Sequence, residues 1–132
     1  FVGGDGCLGE ELYKLGGDAV EGGIVYCGFS PEQNRPEVKE FLDAYAKKYN
    51  GELADMFAAQ YYDAMYIVAQ AMERAGSTDP KVYKAEMANT KDFPGVSGIT
   101  TFGPDREPIK NPVFLLQVKD NSFKLLDTAE VI

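Results

Sequence analysis

No histidine occurs anywhere in the 132 residues, so the commonest general base and the commonest transition-metal ligand are both missing. Cysteine is scarce as well. Cys7 and Cys27 are the only two, without the Cys-x-x-Cys spacing or the histidine partners that would build a metal site. Basic residues are outnumbered, with 13 Lys and Arg against 21 Asp and Glu and a net charge of -8. Such a surface repels a polyanion and argues against a nucleic-acid partner. Long apolar runs are lacking too: the richest, residues 64–72, is interrupted by Gln70 and is far too short to span a bilayer. The opening at Phe1 shows neither an initiator Met nor the basic and apolar regions of a signal peptide.

What is present has the composition of an ordinary globular protein, 45% apolar and 26% charged. Phe1-Val2 is expected to be the end of a strand. Leu8, Leu12 and Leu15 fall at helical spacing and Gly16-Gly17 stops them, which predicts a short helix over residues 8–15. Ile24-Val25-Tyr26-Cys27-Gly28-Phe29 is too short for a helix and predicts a buried strand. Pro36 opens a helix with Val38, Phe41, Leu42, Tyr45 and Tyr49 on one stripe. Met56–Ala75 is apolar around much of its circumference, through Met56, Phe57, Tyr61, Met65, Val68 and Met72, and is expected to be buried. Asp79-Pro80 caps a further helix using Val82, Tyr83 and Met87. Strands are predicted over residues 100–102, 113–118 and 123–126, the last two joined by a hairpin at Asp120-Asn121-Ser122. Together these elements define an α/β architecture.

Few side chains suggest chemistry. Gly4-Asp5-Gly6-Cys7-Leu8-Gly9 satisfies G-x-G-x-x-G, but Asp5 would oppose a pyrophosphate where backbone N–H groups should receive it. A plainer role for Asp5 is to cap the helix beginning near Leu8. Glu10-Glu11, Asp18 and Glu21 are acidic without a partner of defined role, and Gly103-Pro104-Asp105 with Glu107 is turn chemistry rather than a metal loop. No catalytic residue, metal site or cofactor is assigned. Cys7 and Cys27, each near the carboxyl end of a strand, are close enough in the expected topology for a disulfide, with two buried free thiols as the simpler state.

Four stretches occur in an order that resembles type I periplasmic binding proteins, above all the branched-chain amino-acid (Leu/Ile/Val) group that feeds ABC transporters. They are Gly3-Gly4-Asp5-Gly6, Tyr62-Asp63-Ala64, Arg74-Ala75-Gly76-Ser77-Thr78-Asp79-Pro80, and the tail from Lys91-Asp92-Phe93-Pro94-Gly95-Val96-Ser97-Gly98-Ile99-Thr100-Thr101-Phe102 to Pro112-Val113-Phe114-Leu115-Leu116-Gln117-Val118-Lys119-Asp120. The resemblance implies a C-terminal portion of a two-lobed fold of Rossmann-like parallel sheets flanked by helices, ending in a strand hairpin. Residues 1–29 are then expected in the second lobe, 30–107 in the first, and 108–132 back in the second, with the N-terminal part of the parent protein outside the sequence.

The same resemblance implies a substrate-binding component of a transporter, periplasmic or extracellular and membrane-associated, that delivers an amino acid or small amide to a membrane permease. Asp5, in the Gly-x-acid-Gly turn with Gly6, would take the ligand's ammonium at the crevice where α/β sheets bind ligands. Phe57, with Gln60 or Tyr61 one turn on, would border the ligand side chain. The hydroxyls and amides that hold the carboxylate in the family belong to its earlier part. The portion itself is expected to form a homo-oligomer by completing exposed edges, as in domain swapping. Two other functions share these residues: a ligand-sensing domain of a receptor or regulator with the same fold, and, further off, a nucleotide-dependent enzyme.

Overall fold

The computed structural model describes residues 1–131. In chain order the elements are β1 (Val2–Gly3), α1 (Glu10–Gly16), β2 (Ile24–Cys27), α2 (Pro36–Lys48), α3 (Met56–Ala75), α4 (Pro80–Ala88), β3 (Phe93–Gly95), β4 (Gly98–Phe102), β5 (Pro108–Asn111), β6 (Val113–Lys119) and β7 (Ser122–Ala129). The helix bounds follow local chemistry. Asp55 accepts the Ala58 N–H at 2.7 Å to start α3, and Gly76 ends it in the left-handed region at φ 61°. Asp79 accepts the Lys81 N–H at 2.9 Å ahead of Pro80 in α4, and Pro36 opens α2.

Two sheets form, ordered β1-β2-β6-β7 and β3-β4-β5. β1 and β2 run parallel with Val2 opposite Ile24, and α1 lies in the crossover between them. β6 then pairs antiparallel with β2, Tyr26 opposite Leu115, and with β7 through a hairpin. The two linking residues, Asp120 and Asn121, have φ of 52° and 55°, the double positive φ that a two-residue hairpin matched to strand twist requires. β2 is shorter than predicted. It stops at Cys27 and alternates, with Val25 and Cys27 buried and Tyr26 exposed, while Phe29 continues past it into the core.

No strand was expected over β3 or β5, each of which carries a proline, Pro94 or Pro108, that weakens a strand pattern. Both belong to edge strands of the three-stranded sheet, where a missing N–H costs no ladder bond. Residues 108–111, expected with the final strands, pair with β4, Lys110 opposite Thr100. The chain therefore changes sheet between Asn111 and Val113. Gly98 makes the close approach possible: at φ 109°, a Cβ there would meet the Asn111 carbonyl oxygen at 2.8 Å.

One apolar core spans both sheets. Cys27, Phe29, Val38, Phe41, Ala54, Met56, Ala59, Val96, Phe114 and Leu116 form it, so β2, α2, α3, the β3–β4 turn and β6 meet in a shared interior. Phe29 meets Phe41 edge-on at 6.3 Å between centroids. The expected burial of α3 holds on one face only. Its buried residues are Met56, Ala59, Asp63, Ile67 and Ala71, a single stripe at three- and four-residue spacing. The small Ala59 and Ala71 let neighbouring elements approach, whereas Tyr61 and Met65 are 73% and 70% exposed.

Candidate functional site

β1 ends at Gly3, and the chain turns through a single 3-10 turn, Asp5–Cys7, closed by Cys7 N–H to Gly4 O and Leu8 N–H to Asp5 O, both at 3.0 Å. Asp5 and Gly6 are exposed at its crest. Among the described residues the Asp5 carboxylate has no hydrogen-bond or ion-pair partner. It does not cap the following helix: Gly9 is the N-cap of α1, without a side-chain bond. Glu10 and Glu11 occupy the first turn of that helix. Two more carboxylates thus stand where a dinucleotide phosphate would need donors, which weighs further against the nucleotide reading.

The neighbour of this turn is the carboxyl end of β2. The Tyr26 hydroxyl lies 3.1 Å from where a Cβ on Gly4 would stand. Cys27 is buried and its Sγ donates to Phe29 O at 3.1 Å. Burial pushes the Cys27 thiol pKa up, against its bond to Phe29, and the negative charge of Asp5 adds to the rise. Cys7 and Cys27 are both free thiols. One residue further on, Gly28 carries the side chain of Gln60 on its bare backbone, since a Cβ there would lie 2.7 Å from Gln60 Nε2. Asp5, Cys27, Gly28 and Gln60 therefore follow one another along the carboxyl ends of the two parallel strands, the position where open α/β sheets take ligands.

Phe57 and Tyr61 share a face of α3 but border different hollows. Phe57, 48% exposed, lines a small hollow of about 230 Å³ with Leu8, Gly9, Phe29, Met56 and Phe123. Tyr61 lines a broader groove of about 970 Å³ between α2, α3 and the β3–β4 hairpin, with Phe41, Tyr45, Tyr62, Tyr66 and Pro94. Asp5 and Gly6 border neither. The five candidate residues thus lie apart in three places: Asp5 and Gly6 on the turn after β1, Gln60 against Gly28, and Phe57 and Tyr61 in two separate hollows.

A second polar cluster went unassigned in the sequence. Asp63 is 2% exposed in the middle of the buried stripe of α3. Its carboxylate accepts Val96 N–H at 2.7 Å, Ser97 N–H at 2.8 Å, and the Ser97 hydroxyl. Lys110 Nζ donates to Ser97 Oγ at 2.6 Å and to Thr100 Oγ1 at 3.1 Å. Arg35, ahead of α2, donates to Gly95 O at 2.9 Å. Burial lowers the Lys110 pKa and the charge of Asp63 opposes that shift. Three elements distant in sequence are therefore tied to one turn, Gly95-Val96-Ser97. Tyr62-Asp63-Ala64 carried the resemblance in sequence, and its only physical signal was a lone carboxylate in the register of an apolar stripe.

Residues 2–122 match the family described as Periplasmic binding protein, and the chain belongs to that family. It is 35% identical over 95 residues to the leucine-, isoleucine-, valine-, threonine-, and alanine-binding protein of Pseudomonas aeruginosa, covering 71% of this chain and 25% of that protein. Among solved structures it resembles the leucine-binding protein LivK of Thermotoga maritima, with TM-score 0.84 and 34% identity over 98% of this chain and 37% of that one. It also resembles LivJ of Streptococcus pneumoniae, a branched-chain amino acid transporter substrate-binding protein in complex with isoleucine, with TM-score 0.80 and 34% identity over 98% and 36%. The mixed α/β fold is thus the fold of part of a two-lobed binding protein, and the chain spans between a quarter and two fifths of the length of these relatives.

Proposed function

We propose that this chain is the C-terminal part of the substrate-binding component of an ABC transporter for branched-chain or related amino acids, working outside the cytoplasm and handing its ligand to a membrane permease. The sheet β1-β2-β6-β7 belongs to the second lobe, and α2, α3, α4 and β3-β4-β5 to the first; residues 108–111 are thereby assigned to the first lobe rather than the second, because they pair with β4. Ligand is held between them and released unchanged, so no chemical step is assigned to any residue. Asp5 takes the ligand ammonium, Gly6 keeps the approach to it open, and Phe57, with Gln60 or Tyr61 one turn on along α3, borders the ligand side chain.

The observation that carries this reading is the Asp5 carboxylate, exposed just past the end of β1 and without a partner among the described residues. A charge-assisted bond there contributes on the order of 1.5–3 kcal/mol, enough to reject a ligand without the amine. The relatives' ligands, branched-chain amino acids, supply the ligand class. Asp5→Asn in the full two-lobed protein should weaken leucine binding at least about tenfold by calorimetry, with the fold retained. Unchanged affinity would refute the assignment. The isolated chain, with Tyr61 and Met65 exposed on α3, is further proposed to self-associate. Light scattering on a dilution series tests this, and a monomer at all concentrations rejects it.

A further inference from the structure

The Asp5 turn has little of its own to hold it. None of its residues is buried, and its N-cap, Gly4, contributes no side-chain bond. Two backbone bonds close it, Cys7 N–H to Gly4 O and Leu8 N–H to Asp5 O. Its far end is anchored by Leu8, which packs against the core. At its near end a side chain from another element arrives. Tyr26 of β2 lays its ring edge on Gly4, where a Cβ would meet the hydroxyl oxygen at 3.1 Å, Cζ at 3.3 Å and Cε1 at 3.6 Å. Neither partner in this contact is explained by the rest of the fold. Val25 and Cys27 face the core while Tyr26 between them faces the other way, 53% exposed, so its ring is no part of the interior. Gly4 has φ -89° and ψ -176°, extended backbone that any residue adopts. The path of the chain therefore does not demand a glycine there, whereas the tyrosine lying on it does.

We propose that Tyr26 is a positioning residue for Asp5: by closing over Gly4 it holds the entry to the turn, so that the carboxylate one residue on is presented in one place. The mechanical part concerns the turn alone. Its meaning for ligand binding rests on the functional reading above, in which Asp5 takes the ammonium, because a group held in place before the ligand arrives loses less freedom on binding.

Amide hydrogen exchange in the full two-lobed protein, read by nuclear magnetic resonance, tests the proposal without any ligand. Tyr26→Ala should speed exchange of the Cys7 and Leu8 amides at least about tenfold, since both bonds lie in the turn and open locally. The Val118 amide, bonded to Gly23 O at 2.8 Å in the same sheet, should keep its rate. Tyr26→Phe retains the ring and should retain all three rates. Turn amides that stay protected in Tyr26→Ala, or that speed up only in step with Val118, show a residue that merely stabilises the sheet and overturn the proposal. Should Tyr26→Ala not fold, Gly4→Ala carries the same test, since its methyl group displaces the ring while the tyrosine remains; unchanged turn amides there overturn the proposal equally. Leucine binding is scored separately, and Tyr26→Ala should weaken it about fivefold with Tyr26→Phe close to the unaltered protein. Affinity unaltered by Asp5→Asn sinks the functional reading alone, and exchange unaltered by Tyr26→Ala sinks this one alone.

Discussion

The chain has two glycine-bearing turns with an aspartate at each, and they are built in opposite ways. At Gly4-Asp5-Gly6 the carboxylate is on the turn itself, exposed, and without a partner among the described residues. At Gly95-Val96-Ser97 the carboxylate comes from α3, is 2% exposed, and accepts two backbone N–H groups and a hydroxyl. The first leaves its hydrogen-bonding capacity available to something outside the chain. The second directs three accepted bonds to groups inside the chain. An aspartate in a glycine turn is thus no signature of a ligand site until its accepting capacity has been traced.

The contrast is most directly broken by removing each carboxylate. Asp63→Ala should destabilise the chain by about 3–5 kcal/mol, because it strands two buried N–H groups and leaves the Lys110 ammonium without its counter-charge. Asp5→Ala should leave the urea midpoint nearly unchanged. Equal losses would erase the distinction. A second test uses the glycines. A Cβ on Gly95 would run into the Asp63 carboxylate, whereas one on Gly6 meets nothing within 4 Å. Gly95→Ala should therefore cost roughly 1–3 kcal/mol of unfolding free energy, and Gly6→Ala less than about 0.5 kcal/mol.

Smaller effects appear on titration. The folded pKa of Lys110 lies below its ordinary value of 10.5, so between the two values the unfolded chain binds more protons. The associated stability is present above pH 10.5 and lost as pH falls through the folded value. The urea stability of the unaltered chain, relative to Lys110→Met, should accordingly rise from neutrality toward pH 10.5; a flat difference contradicts the buried ammonium. The smallest change concerns Cys27, whose thiol is raised first by burial and further by Asp5. Asp5→Asn should lower the thiol pKa slightly, read from thiolate absorbance, and an increase would place Asp5 elsewhere.

Much of this was legible in the sequence where the cause is local. Asp55, Gly76, Asp79 and Pro80 mark the helix ends through chemistry within one turn, and Asp120-Asn121 announces its hairpin. The Asp5 turn could be singled out for the same reason. β3 and β5 were not legible, because the prolines that signal a turn also suit an edge strand and only the strand order decides. Nor was the partner of Asp63, which lies 33 and 34 residues away at Val96 and Ser97. Hydrophobic periodicity placed the helix but could not say what its one buried charge would meet. Gln60 was singled out as a ligand neighbour, yet its contact with Gly28 is a tertiary approach that no spacing encodes.

The prolines at the rims of the small sheet have a consequence for how the chain meets other chains. Pro94 and Pro108 each remove a donor from an outer strand, so an incoming strand finds an interrupted ladder on both sides of β3-β4-β5. The larger sheet lacks that protection. β7 offers eight residues of outer edge, guarded by the charges of Lys124 and Asp127, and β1 offers only two. Growth into fibrils, if solution conditions ever drive it, should start from the four-stranded sheet and spare the three-stranded one.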